Sequence, residues 1–177
     1  MKSLKFLPVI LILTLFGCAS TSAVLSEFDE DIDFDNYSTF VLCIDDLFVE
    51  NTNYPNYDNN EVRALIGEAI EKQMERKDHK TNVLKPELQA GFQLIVQEKE
   101  TTFTNCEQES EYGYWKECTI DTVVYTEETL VLYVSDINMN QVIWQASITC
   151  DLNRSKGKLQ AYVNELVEKL FNEYPKV

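Results

Sequence analysis

Two periodicities alternate along this chain, and the places where one gives way to the other mark its elements. Ser38-Thr-Phe-Val-Leu-Cys-Ile44 is a β-branched and aromatic run bounded by Asp35-Asn36 and Asp45-Asp46, which predicts a buried strand. Asn51 to Asn60, rich in Asn, Tyr, Asp and Pro, reads as a loop. From Glu61 the period lengthens: Val62, Leu65, Ile66, Ala69, Ile70 and Met74 fall on one face at three- and four-residue spacing, the signature of an amphipathic helix. Asp58 followed by Glu61 has the logic of a capping box at its start.

Gly91 to Gln97 alternates as a second strand that continues towards Phe103, and Ile120–Tyr125 with Thr129–Val134 reads as one long third strand or two consecutive pieces. Asp136-Ile-Asn-Met-Asn140 separates this from Val142–Ile148, and asparagine tolerates the left-handed backbone of a tight turn, so the third and fourth strands form a hairpin. Leu159, Tyr162, Val163, Leu166, Val167, Leu170 and Phe171 make a second helical stripe, with Ser155 as its cap and Pro175 beyond its end. Two one-sided helices need a common apolar surface. The expected fold is therefore an α/β two-layer sandwich, a four-stranded mixed sheet with both helices on one face, in the order β-α-β-β-β-α. Its first crossover is parallel and right-handed and its later connections are antiparallel.

The first residues follow a different logic. Lys2 and Lys5 precede an apolar run from Phe6 to Phe16 of about 11 residues, too short for the roughly 20 that cross a bilayer, and this reads as an export signal. Leu15-Phe16-Gly17-Cys18-Ala19-Ser20 resembles the bacterial lipobox, with leucine three positions before the cysteine and small residues around it. The rival reading is a conventional secretory signal followed by a chance cysteine. The resemblance implies that residues 1–17 are a signal peptide and that Cys18 becomes the lipidated first residue of a tether over 18–27; the length left, 28–177, suits a single α/β domain. Each buried methylene of such a lipid contributes about 0.8 kcal/mol, and stable anchoring takes more than one chain, as a triacylated cysteine provides. Ala19 is not the aspartate associated with inner-membrane retention, which points to the outer membrane.

Charge narrows the partners. The formal net charge is −15, and loss of Lys2 and Lys5 would take it to −17. A domain this negative is repelled by phosphate backbones and anionic headgroups, so nucleic acid is not an expected partner and membrane attachment must come from the lipid on Cys18. In an oxidising compartment the remaining Cys43, Cys106, Cys118 and Cys150 read as disulfides. Cys106 with Cys118 is the favoured pair because they bracket the loop Glu107–Glu117; closing it would contribute on the order of 3 kcal/mol. Cys43 with Cys150 would then join the first and last strands.

The chain resembles the envelope lipoprotein family called domain of unknown function 4136. The likeness rests on Phe34-Asp-Asn-Tyr-Ser-Thr-Phe40, on Leu130-Val-Leu-Tyr-Val-Ser-Asp136, and on Val142-Ile-Trp144 in the following strand, and spans about Phe28 to Pro175. The family carries no assigned activity, so it implies a fold and a location only.

Candidate sites are few. Glu27 to Asp35 is densely acidic, but an EF-hand counted from Asp31 would need glycine and glutamate where Asn36 and Leu42 stand. Glu127 and Glu128 are neighbours on a strand, hence on opposite faces and a poor acid/base pair. Tyr112, Tyr114 and Trp115 in the cysteine-bracketed loop are candidate contacts for a partner or ligand, with packing inside the loop as the alternative; Trp144 reads as core and His79 as a surface residue near a helix end. No catalytic constellation, metal site or cofactor is expected. The leading expectation is a non-catalytic envelope lipoprotein that binds another envelope component, and the second is a small-ligand or divalent-cation binding protein of the periplasm.

Overall fold

The computed structural model describes residues 23–48, 53–107 and 117–175. Cys18, Tyr112, Tyr114 and Trp115 lie outside them. Strands β1 (Leu25–Phe28), β2 (Thr39–Leu42), β3 (Lys80–Thr81), β4 (Leu88–Glu107), β5 (Glu117–Asp136) and β6 (Gln141–Cys150) are joined with helices α1 (Asn60–Arg76) and α2 (Lys156–Phe171). The strands form one mixed sheet in the order β1-β6-β5-β4-β2-β3, so among the described residues the sheet has six strands where four are expected.

The two extra strands have identifiable causes. β1 falls where the sequence reads as tether; it pairs antiparallel with β6 from Leu25↔Ser147 to Phe28↔Trp144, and Leu25 is 71% exposed, so it carries almost no inward apolar pattern. β3 is two exposed residues laid parallel to β2, too short for any period to show. The remainder follows the expected order: β2 reaches β4 through α1 as a parallel pair, and β4, β5 and β6 are successive antiparallel neighbours.

One face of the sheet is buried. Phe40, Leu88, Ala90, Phe92, Leu130, Leu132, Val134, Ala146 and Ile148 alternate with exposed or half-buried positions and meet Val62, Ile66, Ala69, Ile70 and Met74 of α1 and Val163, Val167, Leu170 and Phe171 of α2. Near the start of β6 the register slips between Val134 and Ser135, leaving Ile143 as the extra residue of a bulge. Consecutive residues Ile143 and Trp144 are consequently both 1% exposed. Trp144 packs on Phe171 and Tyr174 at ring-centroid distances of 5.2 Å each, and its indole N–H donates to Glu173 O at 3.2 Å, which is the expected core role.

Three local expectations are corrected. The α1 cap is Asn59, whose side chain accepts from Val62 N; Asp58 instead binds Arg63, because that guanidinium is buried and requires a carboxylate. His79 is 1% exposed, with Nε2 3.1 Å from Tyr174 Oη, because Asp78 turns through φ 62° after the helix and directs the chain back under α2's end. Cys43 and Cys150 are free thiols: Cys43 follows β2 and Cys150 ends β6, with β4 and β5 between them. At about 4.8 Å per strand the two are separated by at least roughly 14 Å across the sheet, twice the reach of a disulfide.

Candidate functional site

The feature that sets this sheet apart is the length of its central hairpin. β4 and β5 stay in register from Leu88↔Asp136 to Glu107↔Glu117, but β2 covers β4 only over Leu88–Ala90 and β6 covers β5 only over Glu128–Asp136. Beyond Val96 and Glu128 the hairpin has no further strand beside it among the described residues for eleven pairs, from Gln97↔Glu127 onward, a two-stranded arm of about 35 Å. The continuous run from Gly91 towards Phe103 and the doubled third strand are the sequence signals for it; its projection away from the core is not a local property.

The arm's exposed side chains are apolar at positions where a solvated ribbon would carry polar ones. Phe103 is 57% exposed, Ile120 71%, Val123 46%, Val124 54% and Tyr125 43%. Isolated two-stranded ribbons are marginal in water, and contiguous exposed apolar groups mark interaction surfaces. At the far end the register sets Cys106 opposite Cys118 on neighbouring strands.

The root of the arm is held from two sides. On the edge next to β2, the Asp46 carboxylate accepts from Phe92 N at 2.9 Å and from the Tyr133 hydroxyl at 2.7 Å. Gly91 is required there: a Cβ would overlap Asp46 Oδ2 and the Tyr133 hydroxyl. Burial, with the Cys43 thiol and the Asp46 carboxylate as hydrogen-bonding neighbours, pushes the Tyr133 hydroxyl far above its ordinary range, so it stays a donor. Asp46 also offers its backbone carbonyl to Arg63 Nη1 at 2.6 Å, and Arg63 stands over the Phe92 ring at 5.7 Å.

On the other side Glu128, 3% exposed, accepts from Leu152 N at 2.6 Å, and burial raises its carboxyl above the usual range. Its neighbour Glu127 pairs with Lys99 on the opposite face of the strand, as the alternation of strand side chains requires. The segment after β6 is braced further by Arg154 stacked 3.7 Å over the Tyr162 ring and by Asp151 N donating to the Tyr162 hydroxyl at 3.1 Å.

The two sequence motifs that carry the family likeness meet at the other end of the sheet. The Tyr37 hydroxyl donates to Asp136 Oδ2 at 2.7 Å, while Asp136 Oδ1 accepts from Met139 N and shapes the β5–β6 turn. Burial acts to raise the Asp136 carboxyl, but those hydrogen bonds outweigh it and hold it below its ordinary range; Tyr37 is pushed up to about 12, chiefly by burial. Glu87 accepts from Ser38 N, Thr39 N and Thr39 Oγ1 at 2.8 to 2.9 Å, which lowers its pKa and ties β2 to the start of β4. These are structural bonds between the opening segment and the closing hairpin.

Three carboxylates of the acidic stretch, Glu27, Asp29 and Asp33, are engaged in local structure. Asp29 and Asp33 accept from the backbone N–H two residues on, and Asp29 and Glu27 accept from Gln141 and Gln145 of β6. Among the described residues no three carboxylate, imidazole or thiol groups converge as a metal cage.

With this geometry in place, comparison with known proteins settles the lineage. A family profile described as a domain of unknown function (DUF4136) matches residues 24–176. The chain belongs to that family. No curated protein matches it. A DUF4136 family protein from Bacteroides thetaiotaomicron shares 17% identity over 89% of this chain and 98% of its own, with a TM-score of 0.55. A PDZ domain protein from Parabacteroides distasonis shares 15% identity over 88% of this chain, with a TM-score of 0.53; the present chain spans only 36% of that protein's length. At these identities the likeness is one of fold. No helix among the described residues is long and apolar enough to cross a membrane.

Proposed function

We propose that this DUF4136 protein is a lipid-anchored lipoprotein of the bacterial envelope, attached through Cys18 to the outer membrane, and that its domain is a non-catalytic binding module. The observation that carries the binding role is the β4–β5 arm, with Phe103, Ile120, Val123, Val124 and Tyr125 exposed on a ribbon that leaves the core from a doubly braced root. The anchor rests on the leader Met1–Gly17 and its lipobox-like end. Supporting the assignment of roles, Glu27, Asp29 and Asp33 of the acidic stretch and the Tyr37–Asp136 pair are engaged in internal bonds, whereas the arm's apolar groups face water.

Intact-mass spectrometry of the protein from bacterial membranes tests the anchor: the expected mass is that of residues 18–177 plus lipid, and Cys18→Ser should abolish it. The binding role is tested by crosslinking envelopes and recovering the protein. A reproducible partner that is lost in a Phe103→Ser, Val123→Ser variant is the expected result, and recovery of no partner overturns the reading.

A further inference from the structure

The chemistry of the arm restricts what can sit on it, given the binding role proposed above. Cross-strand partners point to the same side, so Thr101, Phe103, Val123 and Tyr125 share one face with Lys99, Glu127 and Asp121, while Val124 and Ile120 share the other with Glu98 and Glu100. Lys99 neutralises Glu127 across the strands. Glu98, Glu100 and Asp121 have no cation within ion-pair distance among the described residues, and the whole chain carries −15.

Area and charge together choose the occupant. One face of a ribbon about 35 Å long and about 10 Å wide offers roughly 350 Å², well below the roughly 800 Å² per partner of a stable interface. So small an apolar contact cannot overcome the repulsion of a second copy bringing its own carboxylates and net charge within a Debye length of about 10 Å. An oppositely charged partner gains where a second copy loses. We infer that the Phe103–Val123–Tyr125 face docks a basic, apolar-centred protein surface, whose lysines or arginines meet Asp121 and lie within the field of Glu98 and Glu100.

The test uses the intact chain in mild detergent and two synthetic peptides with the same valine and phenylalanine positions, one with lysine and one with glutamate between them. Fluorescence anisotropy should show the lysine peptide binding more weakly as salt rises, and the glutamate peptide not binding. Phe103→Ser with Val123→Ser should weaken the lysine peptide at least about tenfold, and Asp121→Asn with Glu98→Gln and Glu100→Gln should do the same at low salt. All five positions are exposed, so circular dichroism should be unchanged in both variants.

Equal binding to the arm variants would assign the attraction to the bulk acidity of the chain and overturn the inference, as would equal binding of the two peptides. A concentration-dependent dimer in sedimentation velocity that Phe103→Ser abolishes would overturn it in favour of a second copy. A photo-crosslinker at position 103 separates this inference from the broader reading: an acidic partner captured there leaves the binding role standing and removes the basic-partner inference, whereas a basic partner supports both.

Discussion

Replacing Asp58 with alanine should be among the most damaging single changes available in this domain, although the side chain touches neither the sheet core nor the arm. Asp58 and Arg63 are 3% and 7% exposed, and both carboxylate oxygens are used, accepting from Arg63 Nε at 2.6 Å and Nη2 at 2.7 Å. Without Asp58 the guanidinium keeps the Asp46 carbonyl and the Phe92 ring, but it stays buried after losing the carboxylate that accepts from both Nε and Nη2. Breaking one side of a buried pair costs about 3–5 kcal/mol, and the surviving contacts place this case near about 3 kcal/mol. For a domain of this size that lowers Tm by about 6–12 °C.

Urea unfolding followed by circular dichroism measures the loss directly, provided the m-value is unchanged. The double variant Asp58→Leu, Arg63→Met removes both charges and should recover stability to within about 1 kcal/mol of the parent, since the cost is that of burying a guanidinium stripped of its bidentate carboxylate. An Asp58→Ala protein within about 1 kcal/mol of the parent, or a double variant as unstable as the single one, would refute the reasoning.

Three further outcomes follow from the same geometry. Tyr37→Phe should cost about 1–2 kcal/mol at neutral pH in thermal unfolding; because the Asp136 carboxyl is lowered in the fold, its contribution is present above the usual carboxylate pKa of 3.8 and lost on acidification, so the variant and parent should converge at low pH. Glu128 has the opposite sign: its carboxyl is raised, so the stability linked to it is full below about 4.5 and lost as pH rises, and Glu128→Gln should gain relative to the parent between pH 4 and 8 while its carbonyl keeps the Leu152 N–H. Alkylation mapped by mass spectrometry should find Cys43 and Cys150 reduced; with its thiol pushed up to about 12 by burial, Cys150 should react at pH 8 at least about a hundredfold more slowly in the native than in the unfolded protein.

Everything governed by a local period could be read along the chain. The apolar stripes of α1 and α2, the alternation of β4 to β6, the Asn140 turn at φ 51° and the burial of Trp144 all follow from residues near one another in the chain. The parallel crossover from β2 to β4 follows too, because a helix lies between them. Which strands become neighbours, by contrast, is settled by contacts between distant segments. β1 is stabilised by pairing with β6 over a separation of more than a hundred residues, and β2 and β6 are kept apart by the hairpin between them, which rules out Cys43 with Cys150. His79 is buried for the same kind of reason, its cover being Tyr174 beyond the last helix. The arm lies between these cases: its strands are legible as strands, but whether a strand is covered is set by how far its neighbours extend, and β2 and β6 end their pairing at Ala90 and Glu128. Local backbone preference and side-chain period are encoded within a few residues, whereas coverage is a property of distant segments meeting, and the candidate binding surface is a gap in coverage.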